Sequence, residues 1–286
     1  MATILSIQSW VAYGHVGNAA AVFPLQRLGH EVWPIHTVQF SNHPGYGGFR
    51  GTVFDPAQII ALVAGLDERG VLARCDAVLS GYLGEAGTGD AILDAVARVR
   101  AGNPKAIFCC DPVMGDDKSG LFVRPGIPEF FQTRAMAVAD VVTPNRFELE
   151  LLTGTKVASL AETIAAARQL IDRGPKLVMV TGLMSPILAE GQIGTLAVTR
   201  DHAWLATSPE LQFSITPNGT GDLLAALLLG HILNGRAPND ALSGAVSALF
   251  AILEQAAARN LREMPLEVEQ NRLIHPPQVV PALPIG

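Results

Sequence analysis

Charge and cysteine are both scarce in this chain, and each shortage removes a class of function. Only 16% of its 286 residues are charged, with 20 Lys and Arg against 26 Asp and Glu, giving a net charge of −6. Average globular chains carry roughly 25% charged residues. Without a basic surplus there is no electrostatic footprint for a phosphate backbone, so nucleic acid is not expected as the main partner. Any phosphate that the chain binds must be held locally. Cys75, Cys109 and Cys110 are too few for a disulfide framework, and the adjacent pair lies in an apolar run that reads as a buried strand. No basic segment precedes the first apolar residues, so no signal peptide is expected. The apolar stretch 223–233 contains Gly230 and His231 and falls well short of the roughly 20 residues of a membrane helix. The expectation is a cytoplasmic protein with no membrane partner. Among motifs, no G-x-x-x-x-G-K-[ST] loop occurs, no G-x-G-x-x-G follows the first strand, and neither His-Glu-x-x-His nor Cys-x-x-Cys is present. A G-x-S-x-G hydrolase elbow is missing too.

What remains is a largely apolar chain: 49% of its residues are hydrophobic, enough for an extensive core in one domain spanning 1–286. Short runs rich in β-branched residues recur at 3–7, 31–38, 76–79, 106–110, 138–142, 177–181 and 195–199. Stretches with helical spacing lie between them at 57–66, 89–100 and 160–173, and again at 223–233. Such alternation predicts an α/β fold with a mostly parallel sheet buried on both faces. Ligands of such sheets collect at the carboxyl ends of the strands. Residues 39–53 are too rich in glycine and aromatics for a helix and read as a β-flap or lid. Residues 263–286 read as a polar, Pro-rich C-terminal tail.

The strongest local signal is Asn218-Gly219-Thr220-Gly221-Asp222 ahead of an apolar helix. Two glycines let the backbone turn tightly and approach a ligand, and the helix start offers N–H groups to an anion. Asp222 beside that cradle could accept the proton of a hydroxyl attacking a phosphoryl group, or simply cap the helix. The same tetrapeptide recurs as Gly87-Thr88-Gly89-Asp90 before an amphipathic helix, where capping is explanation enough. Asp111 ends a buried strand, with Pro112 stopping the ladder, and Asn145 with Glu148 follows a second strand and satisfies a helix-capping pattern. Acids at two strand ends beside an anion cradle suit Mg²⁺ and phosphate. Together these elements suggest phosphoryl transfer.

Ser6-Ile7-Gln8-Ser9, Gly14-His15-Val16-Gly17-Asn18, the segment from Val38 to His43, Ser80-Gly81-Tyr82, the segment from Cys110 to Gly115, Thr143-Pro144-Asn145 with Glu148, and Gly219 to Asp222 occur in a distinctive order and spacing. In this the chain resembles the pyridoxal kinases, and most closely the bacterial pyridoxamine/pyridoxal kinase branch of the ribokinase-like superfamily. The similarity runs from about residue 4 to residue 253. It implies a three-layer fold, a central mostly parallel sheet flanked by helices with a small β-flap, assembled as a homodimer. It implies ATP-dependent phosphorylation of the 5′-hydroxymethyl group of pyridoxal, with pyridoxine or pyridoxamine as further substrates, giving pyridoxal 5′-phosphate in vitamin B6 salvage.

By the same resemblance Asp222 is the base, and Gly219, Thr220 and Gly221 form the anion hole. Ser9 bonds the pyridine ring while Val16, His43, Pro44, Gly45 and Tyr82 line or cover its pocket. Asp111, Thr143, Asn145, Glu148, Thr181, Ser208, Pro209, Glu210, Leu211 and Gly219 hold ATP. Asp111 and Glu148 hold Mg²⁺, with a monovalent cation such as K⁺ nearby. The chain departs from the pattern at Pro44, where many relatives have threonine, and at Thr181, where some bacterial relatives have lysine. The alternatives are a kinase for another hydroxymethyl heterocycle such as hydroxymethylpyrimidine, or a weakly active homologue that binds pyridoxal phosphate.

Overall fold

The apolar runs assemble into a ten-stranded sheet in the computed structural model, which describes residues 1–285. In chain order the strands are β1 (Thr3–Tyr13), β2 (Glu31–Asn42), β3 (Gly51–Val53), β4 (Ala77–Ser80), β5 (Ile107–Cys110), β6 (Gly115–Asp116), β7 (Gly120–Leu121), β8 (Val141–Val142), β9 (Leu177–Leu183), β10 (Gln192–Val198), β11 (Ala203–Pro209) and β12 (Ala282–Ile285). The helices are α1 (Asn18–Arg27), α2 (Pro56–Glu68), α3 (Gly87–Gly102), α4 (Ile127–Phe130), α5 (Arg146–Thr153), α6 (Leu160–Ile171), α7 (Thr220–Leu233), α8 (Pro238–Ala258) and α9 (Gln270–Ile274). The sheet order is β12-β11-β10-β9-β8-β5-β4-β1-β2-β3, and β6 with β7 forms a small separate hairpin.

From β2 through β1, β4, β5 and β8 to β9 every pairing is parallel, whereas β3, β10 and β12 run against their neighbours. Central strands of this kind must be apolar on both faces. The first seven residues of β1 are all buried accordingly. One core lies between the sheet and the layer of α2, α3, α5 and α6, with Phe108, Phe131 and Ile92 at its centre. The other lies beneath α1, α7 and α8, filled by Leu223, Leu227, Leu242 and Ile252. The expected α/β class with helices on both faces is the one observed.

Several boundaries differ from the sequence reading. Only Val141–Val142 of the run 138–142 is strand, because Val138 and Ala139 close a turn on the Ala135 carbonyl. Helix α8 was not anticipated, since its many alanines blur the apolar stripe. It is long and apolar enough to cross a membrane by length and composition alone, yet Leu242, Val246 and Phe250 are buried against the second core. Of the expected tail 263–286, the described residues 263–285 are packed and not loose. Met264, Leu266, Leu273 and Val280 are buried, and β12 pairs with β11 at the sheet edge. Their burial supplies the anchoring that the Pro-rich composition concealed.

Candidate active site

The sequence-predicted residues gather along the carboxyl edge of the sheet. Chain order reverses direction between β1 and β4, and in open α/β sheets ligands occupy the crevice at such a reversal. Ser9 and Val16 reach this edge from β1 and its loop, Tyr82 follows β4, Asp111 follows β5, and Thr143 follows β8. Thr181 lies within β9 and Ser208–Pro209 end β11, which points the same way as β9.

The anion cradle forms where two glycine turns press together. Gly219 takes φ +80°, and a Cβ there would meet the His15 carbonyl oxygen at 1.8 Å, so only glycine fits. Gly17 presses on Ser9 in the same way, a Cβ there falling 2.3 Å from both the Ser9 carbonyl oxygen and Oγ. The β1–α1 loop is thereby clamped between Ser9 and the start of α7. No side chain caps α7 at Gly219, which leaves its first N–H groups facing the crevice. A Cβ on Gly221 would touch nothing within 4 Å, so open space lies in front of them. Asp222, half-buried, lies close enough to the Gly17 N–H for that donor to favour its charged form. Burial nevertheless raises its carboxyl above the ordinary aspartate value.

A second acidic group lies across from it. Asp111 is 5% exposed, and its Oδ1 accepts the Thr143 hydroxyl at 2.9 Å. Burial, followed by the charges of Glu148 and Asp222, holds Asp111 well above the usual carboxylate range. Glu148 Oε1 accepts the Met114 N–H at 2.8 Å and Oε2 accepts the Asn145 N–H at 2.9 Å. In return Asn145 Oδ1 accepts the Glu148 N–H, and Asn145 Nδ2 donates to the Gly115 carbonyl. Despite these donors, burial pushes Glu148 up to about 7. The Thr181 N–H donates to the Pro144 carbonyl, and Thr181 bridges Asn145, which brings β9 into the same group. Among the described residues no cluster of three His, Cys, Asp or Glu could hold a metal unaided. Ser208, Pro209, Glu210 and Leu211 stand farther along the edge, where the Glu210 N–H is tied to the Gly191 carbonyl.

Beside the cradle, Val11, Val16, Val38 and Phe40 form a small apolar cluster against which Tyr82 packs. Thr37 donates to the Tyr82 carbonyl at 2.7 Å, fixing that wall. The segment 39–53 folds over it: β2 pairs with β3, and Pro44–Tyr46 makes a short 3₁₀ turn between them. His43 Nδ1 accepts the Gly45 N–H at 3.1 Å, so the neutral ring carries its proton on Nε2. Burial lowers the His43 pKa and keeps the ring neutral. A Cβ on Gly45 would lie 3.8 Å from Asn218 Oδ1, which places the flap beside the cradle. Pro44 is exposed at the first position of the turn, where its missing N–H is not needed.

The sequence reading missed the groups that fasten the flap. The Tyr46 hydroxyl donates to Glu263 Oε1, and Arg262 stacks 3.5 Å from the centre of the Tyr46 ring. Arg262 also donates to the Gly45 carbonyl. Glu263 Oε2 accepts the His15 N–H at 2.9 Å, so one carboxylate joins the flap, the β1–α1 loop and the C-terminal segment. Nothing in the local sequence signals a contact between residues 217 positions apart.

Sheet order, flap and the helix that begins at Gly219 together give the architecture of the ribokinase-like small-molecule kinases. The sequence pattern of a family described as phosphomethylpyrimidine kinase matches residues 69–267. Pyridoxal kinase PdxY of Rubrobacter xylanophilus is 54% identical over 275 residues, covering 96% of this chain and 94% of the relative. The enzyme of the same name from Deinococcus radiodurans is 51% identical and covers 96% and 93%. A pyridoxal kinase from Leishmania donovani in complex with ADP and pyridoxamine superposes with a TM-score of 0.92 at 30% identity, over 100% of both chains. The chain belongs to the pyridoxal kinase family.

Proposed function

We propose that this kinase transfers the γ-phosphoryl group of ATP to the 5′-hydroxymethyl oxygen of pyridoxal, with Asp222 drawing off the hydroxyl proton. The new P–O bond forms at the vitamer oxygen as the bond to ADP breaks. The observation that carries the reading is the position of Asp222, at the junction of the uncapped α7 start and the loop that leads to the apolar pocket. Phosphoryl transfer needs mainly positioning and stabilisation of negative charge, which oriented N–H groups provide without reorganisation. Ser9 bonds the ring, Val16 and Tyr82 form the wall, and His43 to Gly45 close over it. Gly219, Thr220 and Gly221 receive the transferring phosphoryl group. The nucleotide lies along Thr143, Asn145, Thr181 and the Ser208 to Leu211 segment.

Magnesium fits the acidic side of the site. Asp111 has one hydroxyl partner, and its raised pKa marks a carboxylate without a counter-charge. Magnesium needs only one or two such oxygens, completing its shell with water and phosphate. In this reading Asp111 holds the ion and Glu148, whose oxygens already accept backbone N–H groups, acts through water. When bound, the ion neutralises phosphate charge. No residue is assigned to K⁺. The reading includes a cytoplasmic homodimer, which sedimentation of the purified chain and cell fractionation test.

A coupled ADP-release assay with pyridoxal, pyridoxine, pyridoxamine and hydroxymethylpyrimidine tests the substrate. Pyridoxal should turn over with the highest kcat/KM. The phosphomethylpyrimidine description of the matching family gives hydroxymethylpyrimidine a specific claim. Turnover of that compound with none of pyridoxal would replace the reading.

A further inference from the structure

The far end of α7 opens on a second cleft, of about 610 Å³, bounded by α7, α8 and the chain leaving α9. Sites for small ligands commonly have volumes of about 300–1,000 Å³. His231, in its wall, lies nine residues beyond Asp222, or roughly 13 Å along the helix at 1.5 Å per residue. The two clefts share no lining residue among those that build the candidate active site.

Polar groups converge here without meeting one another's needs. His231 is 4% exposed; its Nε2 lies against the Gly244 backbone, and its Nδ1 has no hydrogen-bond partner among the described residues. Buried polar atoms are ordinarily paired, so an unpartnered imidazole nitrogen in the wall of a cleft points to something that occupies it. Arg236 lines the same wall. A Cβ built on Gly244 would fall 2.7 Å from both Arg236 Nη1 and His231 Nε2, so the two side chains approach one point. The first turns of α8 border the cleft, and the N-cap of that helix, Ala237, has no side-chain oxygen to satisfy its first N–H groups. Leu273 and Val279 supply an apolar side.

We propose that this cleft is a second ligand site, separate from the catalytic one, for a small organic anion. Its carboxylate or phosphate head lies between Arg236 and His231, and its apolar body lies along Leu273 and Val279. A guanidinium beside an N–H donor is suited to either head group. Burial, with Arg236 adding to it, lowers His231 to about 4, so the ring is neutral at pH 7 and donates from one nitrogen. Asp240 in the same wall opposes a high ligand charge and favours a monoanion.

The experiment uses the full chain, ¹³C-labelled at its seven histidines, with the catalytic site filled by a non-hydrolysable ATP analogue and pyridoxine. Benzoate, phenyl phosphate and inorganic phosphate are titrated separately up to about 10 mM while ring signals are followed. The His231 signal should move with benzoate or phenyl phosphate, and a response to inorganic phosphate as well would place the affinity in the head group. Arg236→Gln, a change at an exposed residue, should weaken binding about tenfold or more. Gly244→Ala, which fills the point of convergence, should abolish it. Neither substitution should alter kcat/KM for pyridoxal without the anion. An unmoved His231 signal with all three probes, or equal binding by Arg236→Gln, would overturn the proposal.

Discussion

Gly221 offers a sharp test of the anion cradle, because its role in the fold and its role toward a ligand make opposite predictions. It is the second residue of α7, and a Cβ there would meet no protein atom within 4 Å. For the fold alone, Gly221→Ala should therefore be harmless or stabilising, by about 0.5–1 kcal/mol from reduced backbone freedom. In a chain of this length that is a rise in Tm of no more than about 3 °C. For the ligand, a methyl group in the open space before the uncapped N–H groups excludes a phosphoryl oxygen. Removal of one such donor in an acyl-transfer site costs about 10²–10³ in kcat, roughly 2.7–4 kcal/mol, and a comparable loss is expected here. The assay pairs thermal denaturation with steady-state kinetics at saturating pyridoxal. A variant that is at least as stable as the parent but about 10² slower supports the cradle. Parental kcat and KM for ATP would refute it, since the N–H groups would then face no phosphate. Gly219→Ala is the companion control: with φ +80° and a contact of 1.8 Å to a backbone oxygen, it should lose stability and activity together.

The other predictions address the base and the flap. Asp222→Asn should keep the shape and lower kcat by about 10²–10⁴, with ATP binding retained in a calorimetric titration. Because burial raises the Asp222 pKa, the active carboxylate is lost as pH falls through a value above that of an ordinary aspartate. The acid limb of the kcat profile should sit there in the parent and vanish in Asp222→Asn. Glu263→Gln removes the charge that accepts both the Tyr46 hydroxyl and the His15 N–H. It should raise the KM for pyridoxal by about 1.5–3 kcal/mol equivalent, the worth of a hydrogen bond to a charged group, with a smaller change in the KM for ATP. Equal shifts for both substrates would show that Glu263 supports the whole site and not the flap. Pro44→Thr should lower the pyridoxal KM by roughly 0.5–1.5 kcal/mol equivalent, one neutral hydrogen bond, and an unchanged value would mean that position 44 faces only solvent.

Strand periodicity carried most of the fold because a parallel sheet buried on both faces demands continuous apolar runs, and these stand out in a chain with so few charges. Strand β11, one in from the sheet edge, was illegible for the converse reason: Trp204, Leu205 and Thr207 are only half-buried, so its pattern is diluted. Residues of the site that follow strand ends were legible, since each carries a local mark such as Pro112 after Asp111 or the capping pair Asn145 and Glu148. Glu263, Arg262 and the Gly17 N–H were not, because each acts through a partner distant in sequence. Glu263 also falls in the segment whose composition suggested a tail.

The duplicated tetrapeptide shows why local sequence alone could not choose the site. Before α7, Gly219 adopts a left-handed conformation against the His15 carbonyl, and Asp222 turns inward to the Gly17 N–H. At the start of α3 the same four residues are already helical, and neither Gly87 nor Gly89 needs a positive φ. Gly89 is small there for a different reason: a Cβ would meet the Phe130 ring at 2.6 Å. Asp90 points outward and pairs with Arg134. Replacing Asp90 by Asn should therefore weaken that exposed pair by no more than about 1 kcal/mol and leave kcat unchanged. What distinguishes the copies is the surface opposite each helix start, a backbone loop from β1 in one case and an aromatic ring in the other. A loss of kcat in a stably folded Asp90→Asn variant matching that of Asp222→Asn would mean that this difference in surroundings does not decide where the chemistry occurs.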